Sequence, residues 1–468
     1  MKRIFTVLAA TLLLTAAMAV TASASDYDSV AEDLSAIGVF RGTSSGFELD
    51  RAPTRSEAAI MLVRLLGAED EAREAYAAGE LTMPFTDVGA TAAPYVAYLY
   101  QQGITNGTSA TRFGTGACSA QNYAAFLLRA LGYQDGTDFA YADALTFAQE
   151  KGFYDPIMFS GTFLRDDLAA VTYQALGTDL KDGSTYLLKS LIDSGAIDAQ
   201  AAAPMTEKIE AYRALQQASA GVDGTAMDAD MDASVTLSYT GETTEEMAMG
   251  MTGNVKVSVT EDDIQLAYVM DIDAMGEAMT MSEWMTDGWV YVQSEAGGET
   301  VRTKTQVNGE EMQALLEQIQ SAATMATSAN SISGLALVDS ITQTTSGSNT
   351  VYTLVISANS MRSMMDSLLG LMGSGTAGID TSAVEAIFSG LEFSDITAAY
   401  TVGSDGQLRD MQMEFSMTMD GDAMGMPGES MEMAFDMTVT VNAIGDSVRI
   451  TFPDFSGFEE VTAPEIAA

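Results

Sequence analysis

PTRSEAAIMLVRLLG, residues 53–67, returns as CSAQNYAAFLLRALG at 118–132 and as FLRDDLAAVTYQALG at 163–177. Each copy spaces its apolar residues as a helix does: Ala59, Leu62, Val63 and Leu66, then Ala124, Leu127, Leu128 and Leu131, then Ala169, Thr172, Tyr173 and Leu176. Each closes on glycine (Gly67, Gly132, Gly177), the residue expected at a helix C-cap. Thr54 with Glu57 three residues on forms a capping box; the second copy has Ser119 and Asn122, the third Asp167 without a hydroxyl cap.

A shorter helix precedes each phrase, at 30–37, 95–102 and 144–151, and ends in the turn IGVFRG, QGITNG or KGFYD. Gly38, Gly103 and Gly152 mark the same place in each turn, and Phe47, Phe113 and Phe159 lie in the loops that follow. The unit is helix, turn, loop, helix, about 50–65 residues long, and cannot bury its face without its copies.

This arrangement resembles the S-layer homology (SLH) family, whose repeats read F-x-D, an aromatic, a helix ending in G-[IVF]-x-x-G, a loop with Phe, and I-T-R-x-E before an apolar helix. The second copy supplies Phe85-Thr86-Asp87-Val88, Tyr95 and Gly103-Ile104-Thr105-Asn106-Gly107; the first supplies Gly38-Val39-Phe40-Arg41-Gly42 and Thr54-Arg55-Ser56-Glu57. The resemblance covers about 26–200 and implies a three-repeat prism that holds an exported protein non-covalently to secondary cell-wall polysaccharide. It implies Thr54, Arg55, Glu57, Arg165 and Asp167 as glycan-binding residues, with Leu164 where the third hydroxyl should be. In the second repeat Ser119, Ala120 and Asn122 leave both charges out. A guanidinium fork suits the carboxylates or phosphates of an anionic glycan. On the residues alone, Arg55 also reads as a solvent-facing neighbour of Glu57. Arg64 and Arg129 flank the helix core, and the charged stretch 68–80 reads as a solvated helical insert. Short helices are expected at 186–192 and 206–215.

The N-terminus carries Lys2 and Arg3, an apolar run, and Ala22-Ser23-Ala24, which together read as a secretory signal without a lipobox cysteine. No later stretch reaches the ~18–20 apolar residues of a transmembrane helix. The 468 residues allow roughly two to four domains. With 21 Lys+Arg against 65 Asp+Glu the net charge is −44, which repels nucleic acid and anionic lipid. The absence of histidine excludes Ser-His-Asp and Cys-His catalysis and histidine-containing metal sites, and the single Cys118 excludes an internal disulfide. Cys118 reads as a helix-start residue.

Near 216 the composition turns small and acidic (QQASAGVDGTAMDADMDAS), which suggests a flexible joint. Beyond it the period becomes two. Strands are expected at 234–239, 254–259, 264–272, 289–293, 300–305, 351–356, 396–401, 408–419, 431–441 and 447–452, with turns at 286–288, 404–406 and 442–445. Helical spacing returns at 310–321, 360–371 and 381–388. Most of the 31 methionines lie from Met227 onward. MQMEFSMTM sets Met411, Met413, Phe415, Met417 and Met419 on one face, and MEMAFDMTV does the same with Met431, Met433, Phe435 and Met437. Such a wall is either a solid core or the lining of a cavity for a lipid or other hydrophobic ligand, since thioethers adapt to varied shapes. A period of two explains the thioethers without Cu(I).

WMTDGWVYV (284–292) and VNAIGDSVRITFPDFSGF (441–458) resemble the LolA-like lipoprotein-carrier half-barrels, the second as a final hairpin leading to a Pro-Asp turn. That resemblance implies an incomplete barrel wrapped on helices, whose interior accepts an acyl chain or senses surface conditions. The chain therefore reads as an all-α three-repeat SLH bundle followed by an α+β domain with a large curved antiparallel sheet packed on helices. The divisions are a signal at 1–24, repeats within 25–200 (about 26–67, 85–132 and 139–177), a helical segment and linker at 201–229, the Met-rich domain at 230–458 and a tail at 459–468. No catalytic residues, metal ligands or cofactor are expected, although acidic loops could hold Ca²⁺ loosely. DADMDAS lacks the calcium-loop glycine and glutamate. The function expected is a non-catalytic surface protein on the wall of a Gram-positive-type bacterium; the alternatives are a structural or protein-interaction module with a solid Met-rich core and a wall-associated glycan-processing enzyme. Intact-mass measurement of secreted protein should give a chain starting near Ser25 and no diacylglycerol; a mass that retains 1–24 refutes the signal reading.

Overall fold

The computed structural model describes residues 27–155, 162–219, 226–240, 244–260, 263–274, 277–307, 334–358, 391–420 and 429–461. The signal at 1–24, Phe159 and the expected helices at 310–321, 360–371 and 381–388 lie outside the described residues. The N-terminal half is helical: α1 (Asp28–Ala36), α2 (Arg55–Leu65), α3 (Glu69–Ala77), α4 (Ala93–Gln101), α5 (Ala120–Ala130), α6 (Ala144–Glu150), α7 (Arg165–Leu176), α8 (Leu187–Asp193) and α9 (Ala203–Ser219). The phrase helices α2, α5 and α7 surround a core in which Leu62, Phe113, Tyr123, Leu127 and Tyr173 are fully buried.

Local chemistry sets the ends of these helices. Thr54 Oγ1 accepts the Glu57 N–H at 3.2 Å, and Glu57 Oε2 accepts the Thr54 N–H at 2.8 Å, so the capping box closes. Ser119 Oγ caps α5 through the Asn122 N–H at 3.3 Å. At α7, Leu164 offers no acceptor and only half a box remains, the Asp167 carboxylate on the Leu164 N–H at 2.6 Å. Gly67 (φ 65°) and Gly132 (φ 96°) are left-handed as C-caps require, whereas Gly177 stays right-handed at φ −88°. There the Gly177 carbonyl accepts from Arg213 Nη1 at 2.7 Å. The stretch 68–80 is helical as expected but is no mere solvated insert. Ala72 of α3 is fully buried, and Glu69 binds Arg41 at 2.9 Å, Arg64 at 3.2 Å and the Tyr95 hydroxyl at 2.6 Å.

The second half is one 13-stranded sheet: β1 (Ala226–Thr240), β2 (Thr244–Val259), β3 (Ile264–Ala274), β4 (Glu277–Thr286), β5 (Trp289–Ala296), β6 (Glu299–Gln306), β7 (Val338–Ser346), β8 (Asn349–Ile356), β9 (Leu391–Phe393), β10 (Ile396–Val402), β11 (Leu408–Asp420), β12 (Ser430–Ile444) and β13 (Glu459–Glu460). Its order is β13-β6-β5-β4-β3-β2-β1-β12-β11-β10-β8-β7, with β9 beside β11. Every pairing is antiparallel except β13 with β6. The sheet is large, curved and mostly antiparallel, behind a helical region.

Two expectations fail here. The acidic run at 226–233 is not part of a joint but the first half of β1. Asp228, Asp230 and Asp232 fall on alternate positions and share the polar face. Asn254 Nδ2 reaches Asp228 at 2.9 Å and Asp230 at 2.7 Å, while Lys256 pairs with Asp228 at 2.8 Å. The turn expected at 442–445 comes later, at Gly445–Ser447. Asn442 lies within β12, whose residues Ala443 and Ile444 pair with Asp228 and Met227. Consequently 447–452 is no strand. The segment from Ile450 to Phe458 instead lays Phe455 over Tyr291 at 3.6 Å and near Trp284 at 5.9 Å.

The helical and sheet halves share a continuous core: Tyr212, Leu215 and Ala218 of α9 are buried with Tyr400, Val402 and Leu408 of the sheet. The chain has two tryptophans, Trp284 and Trp289, both in the sheet, so fluorescence reports β-structure while circular dichroism at about 222 nm reports helix. The two signals should melt together in the wild type. Tyr212→Ala should destabilise the chain by about 3 kcal/mol and separate the signals; coincident melting of the variant would show that α9 does not couple the halves.

Candidate functional site

The three phrases meet cyclically, and their Arg and acid positions meet with them. The start of α7 joins the first repeat, through Arg165 N–H to Arg51 O at 2.9 Å and Asp166 N–H to Leu49 O at 3.2 Å. The start of α2 joins the second in the same way, through Arg55 N–H to Gly116 O at 2.9 Å. Each arginine therefore points at the acid position of the next copy.

Arg165 is 5 % exposed and fully engaged. Its Nε donates to Phe47 O at 2.9 Å, its Nη1 reaches Glu57 at 3.3 Å, and its guanidinium lies 4.8 Å from the Phe40 ring centre. Burial disfavours the Glu57 charge, yet Arg51 at 2.6 Å, the Thr54 N–H and hydroxyl, and Arg165 together hold its pKa down to about 2.

Arg55 has the same position and a different fate. It is 7 % exposed, and its guanidinium lies 4.9 Å from the Phe113 ring centre and 5.2 Å from that of Phe126. Nη1 donates to Asn122 Oδ1, which stands where an acid would be; Nε is buried without a partner, and no carboxylate pairs with Arg55 among the described residues. Asp87 of the F-x-D motif fixes this pocket by accepting the Phe113 N–H at 2.8 Å and the Gly114 N–H at 2.9 Å, which pins the loop that carries Phe113. Gly107, at φ 68°, must be glycine, because a Cβ there would lie 2.5 Å from Arg112 O.

At the third link no arginine–acid pair forms among the described residues. Helices α5 and α7 touch through the Tyr123 and Thr172 hydroxyls at 2.7 Å, and Ala120 holds in the second phrase the place that Arg55 and Arg165 hold in theirs. Asp167 is 8 % exposed, and burial raises its pKa to about 6 despite the Leu164 N–H. Among the described residues, neither Arg55 nor Asp167 thus has an oppositely charged partner. Thr54 caps α2, and its hydroxyl also donates to Glu57 Oε2 at 2.9 Å.

In the sheet, the two predicted stripes share one face and one register. Met411 to Met419 of β11 oppose Val439 to Met431 of β12, and Phe415 stacks on Phe435 at 4.6 Å. The face extends over β1 and β2: Met413, Met437, Ala233 and Met251 form one transverse row, Phe415, Phe435, Val235 and Met249 the next. It grades from packed (Met411 3 %, Met437 5 % exposed) to open (Met249 39 %, Met247 44 %). A groove of about 290 Å³, lined by Asp230, Met231, Asp232, Thr252, Gly253, Thr438 and Thr440, holds none of the nine predicted wall residues.

Sequence reasoning missed Glu283. It is 3 % exposed, and burial alone raises its pKa to about 7. It occupies a methionine register, in the series Met279, Met281, Glu283, Met285, and that interruption was its only sequence signal. Cys118 is 2 % exposed, with its thiol pushed up to about 12 by burial, so it is no nucleophile at neutral pH. No group of three or more Asp, Glu, Cys or His among the described residues could hold a metal ion, and no helix among them is long and apolar enough to cross a membrane.

Because folded Asp167 keeps its proton to about pH 6 against an ordinary 3.8, its contribution to stability is fullest below about pH 4 and falls as pH rises to about 6. Above that window the stranded carboxylate costs up to about 3 kcal/mol. In urea unfolding, Asp167→Asn should match the wild type near pH 3.5 and exceed it at pH 7.5, and Ala120→Arg should also gain at pH 7.5. A gain independent of pH would exclude Asp167 as the titrating group.

Residues 84–117 match the S-layer homology domain. The matched copy is the second repeat, whose own Arg and Glu positions are empty. Residues 208–455 match a family of unknown function, DUF6612. No curated protein matches the chain. Among solved structures, a DUF1329 family protein from Desulfovibrio piger is 9% identical, covering 50% of this chain and 95% of that one at a TM-score of 0.17. A domain from Vibrio parahaemolyticus, described as that of an outer membrane lipoprotein-sorting protein, is 10% identical, covering 53% and 95% at a TM-score of 0.15. With just over half of its 468 residues matched by that family, the chain belongs to DUF6612 and carries an S-layer homology domain ahead of the match.

Proposed function

We propose that this is an exported, non-catalytic surface protein of a Gram-positive-type bacterium, held non-covalently to secondary cell-wall polysaccharide by its three repeats. The observation that carries this reading is Arg55: a buried guanidinium with a bare Nε, held between two rings and lacking any acid. An uncompensated buried charge is costly, and an anionic sugar substituent would supply the missing partner. Thr54, Glu57, Arg165 and Asp167 complete the glycan-binding set, Arg165 in the weaker role because Glu57 already neutralises it. Any Ca²⁺ would sit loosely on exposed acids.

The C-terminal sheet is proposed as the displayed module, offering its methionine face to a lipid or other hydrophobic ligand. The exposed Met247 and Met249 at the open end of that face favour this reading. Full burial of Met411 and Met437 favours the rival, a solid core, over the other end.

In pull-downs of the mature chain on purified wall fragments, Arg55→Ala should abolish most binding, Arg165→Ala should weaken it less, and Gln121→Ala should have little effect. Failure of the wild type to bind ends the anchoring reading. For the sheet, a fluorescent fatty-acid probe should bind at micromolar level, and Met417→Trp should weaken it without loss of the far-ultraviolet spectrum; no probe binding leaves the solid core.

A further inference from the structure

We infer that Asn122 is the specificity determinant of the glycan site: by standing where an acid would neutralise Arg55, it reserves that guanidinium for an anionic group of the ligand. The loss of charge in the second repeat then builds the site instead of degrading it. The inference rests on the wall-binding reading and narrows it to the groove between the first and second repeats.

The two arginine links differ at the positions that matter. Around Arg165, Nε has Phe47 O, Nη1 has Glu57, and Arg51 adds a second cation to the same carboxylate. Around Arg55, Asn122 supplies one neutral acceptor and no charge. The amide is held in that orientation by its own Nδ2, which donates to Ser119 Oγ at 2.6 Å. Phe113 and Phe126 face the guanidinium and its Nε is buried without a partner, so its charge meets no counter-ion among the described residues. A guanidinium edge matches a carboxylate or a phosphate, and both chemistries occur in anionic glycans. A glutamate at 122 would bring a carboxylate to Nη1 and neutralise the guanidinium from within, as Glu57 does at Nη1 of Arg165.

The test uses the full mature chain and three probes: extracted wall polysaccharide, the same material with carboxylates reduced, and the same material stripped of phosphodiesters by cold hydrofluoric acid. Calorimetry compares wild type, Asn122→Glu and Asn122→Gln. Wild type should bind the untreated polymer and lose one treated form, which identifies the anion. Asn122→Glu should bind about tenfold more weakly or worse and melt at a higher temperature, while Asn122→Gln should stay within about threefold. A folded Asn122→Glu that binds like wild type overturns the inference. So does an equal loss in Asn122→Gln, or wild-type binding indifferent to both treatments. If wild type binds nothing, the wall reading falls, and the melting temperatures alone judge the pairing: an Asn122→Glu no more stable than wild type removes it.

Discussion

The helical half depends on charges handed from one repeat to the next. An arginine at the start of a phrase helix is nearly buried, and burying it alone is costly, so the adjacent copy must satisfy it. Where the link is complete, Arg165 meets Glu57 under Phe40 and the backbone carbonyl of Phe47. Where it is not, the aromatic seat persists without the acid: Arg55 keeps Phe113 and Phe126 but has only an amide. At that link the rings of Phe113 and Phe126, the first held in place by the Asp87 loop clamp, stand beside the guanidinium in place of an ion pair.

That cyclic exchange explains what could be read from the sequence and what could not. The phrase helices, their caps and their glycines follow from local spacing, so they were legible to within a residue or two. Which acid each arginine meets was not, since Arg55 and Asn122 are far apart in the chain and only the closed ring brings them together. The reading of Arg55 as a solvent-facing neighbour of Glu57 fails for the same reason: Glu57 serves Arg51 and Arg165 instead. Composition misled at 226–233, where small and acidic residues look like a linker. The period of two was present, but the Asn254, Asn442 and Lys256 partners that make those aspartates acceptable in a strand lie elsewhere. The run around Asn442 looks like a turn until β1 is seen to pair with it. Glu283 was masked by the general excess of acid.

The sheet divides its chemistry by face, which gives the extreme composition a structural place. Aspartates and threonines of β1, β2, β11 and β12 occupy one side, where Asp230 and Thr440 are paired neighbours, and methionines occupy the other. One register serves both: a slip by a single residue would bury the carboxylates and expose the thioethers. The acidic excess thus protects the pairing of strands whose apolar side chains, being unbranched, specify little by shape.

Helix α9 ties the two halves. It lies partly within the DUF6612 match, yet its Lys208, 9 % exposed, sits 4.9 Å from the Tyr173 ring centre of the third repeat. Burial lowers the Lys208 pKa while the charges of Asp33 and Asp339 oppose that shift, and these two acids come from opposite halves of the molecule. Asp33 also accepts the Tyr173 hydroxyl at 3.0 Å, and Asp339, at the start of edge strand β7, accepts Ser29 at 3.3 Å. A lysine shared in this way resists separation of the halves, since parting them would strip it of an aromatic face and of one or both acids. Through Lys208 the third phrase helix and the edge of the sheet are thereby tied to one side chain.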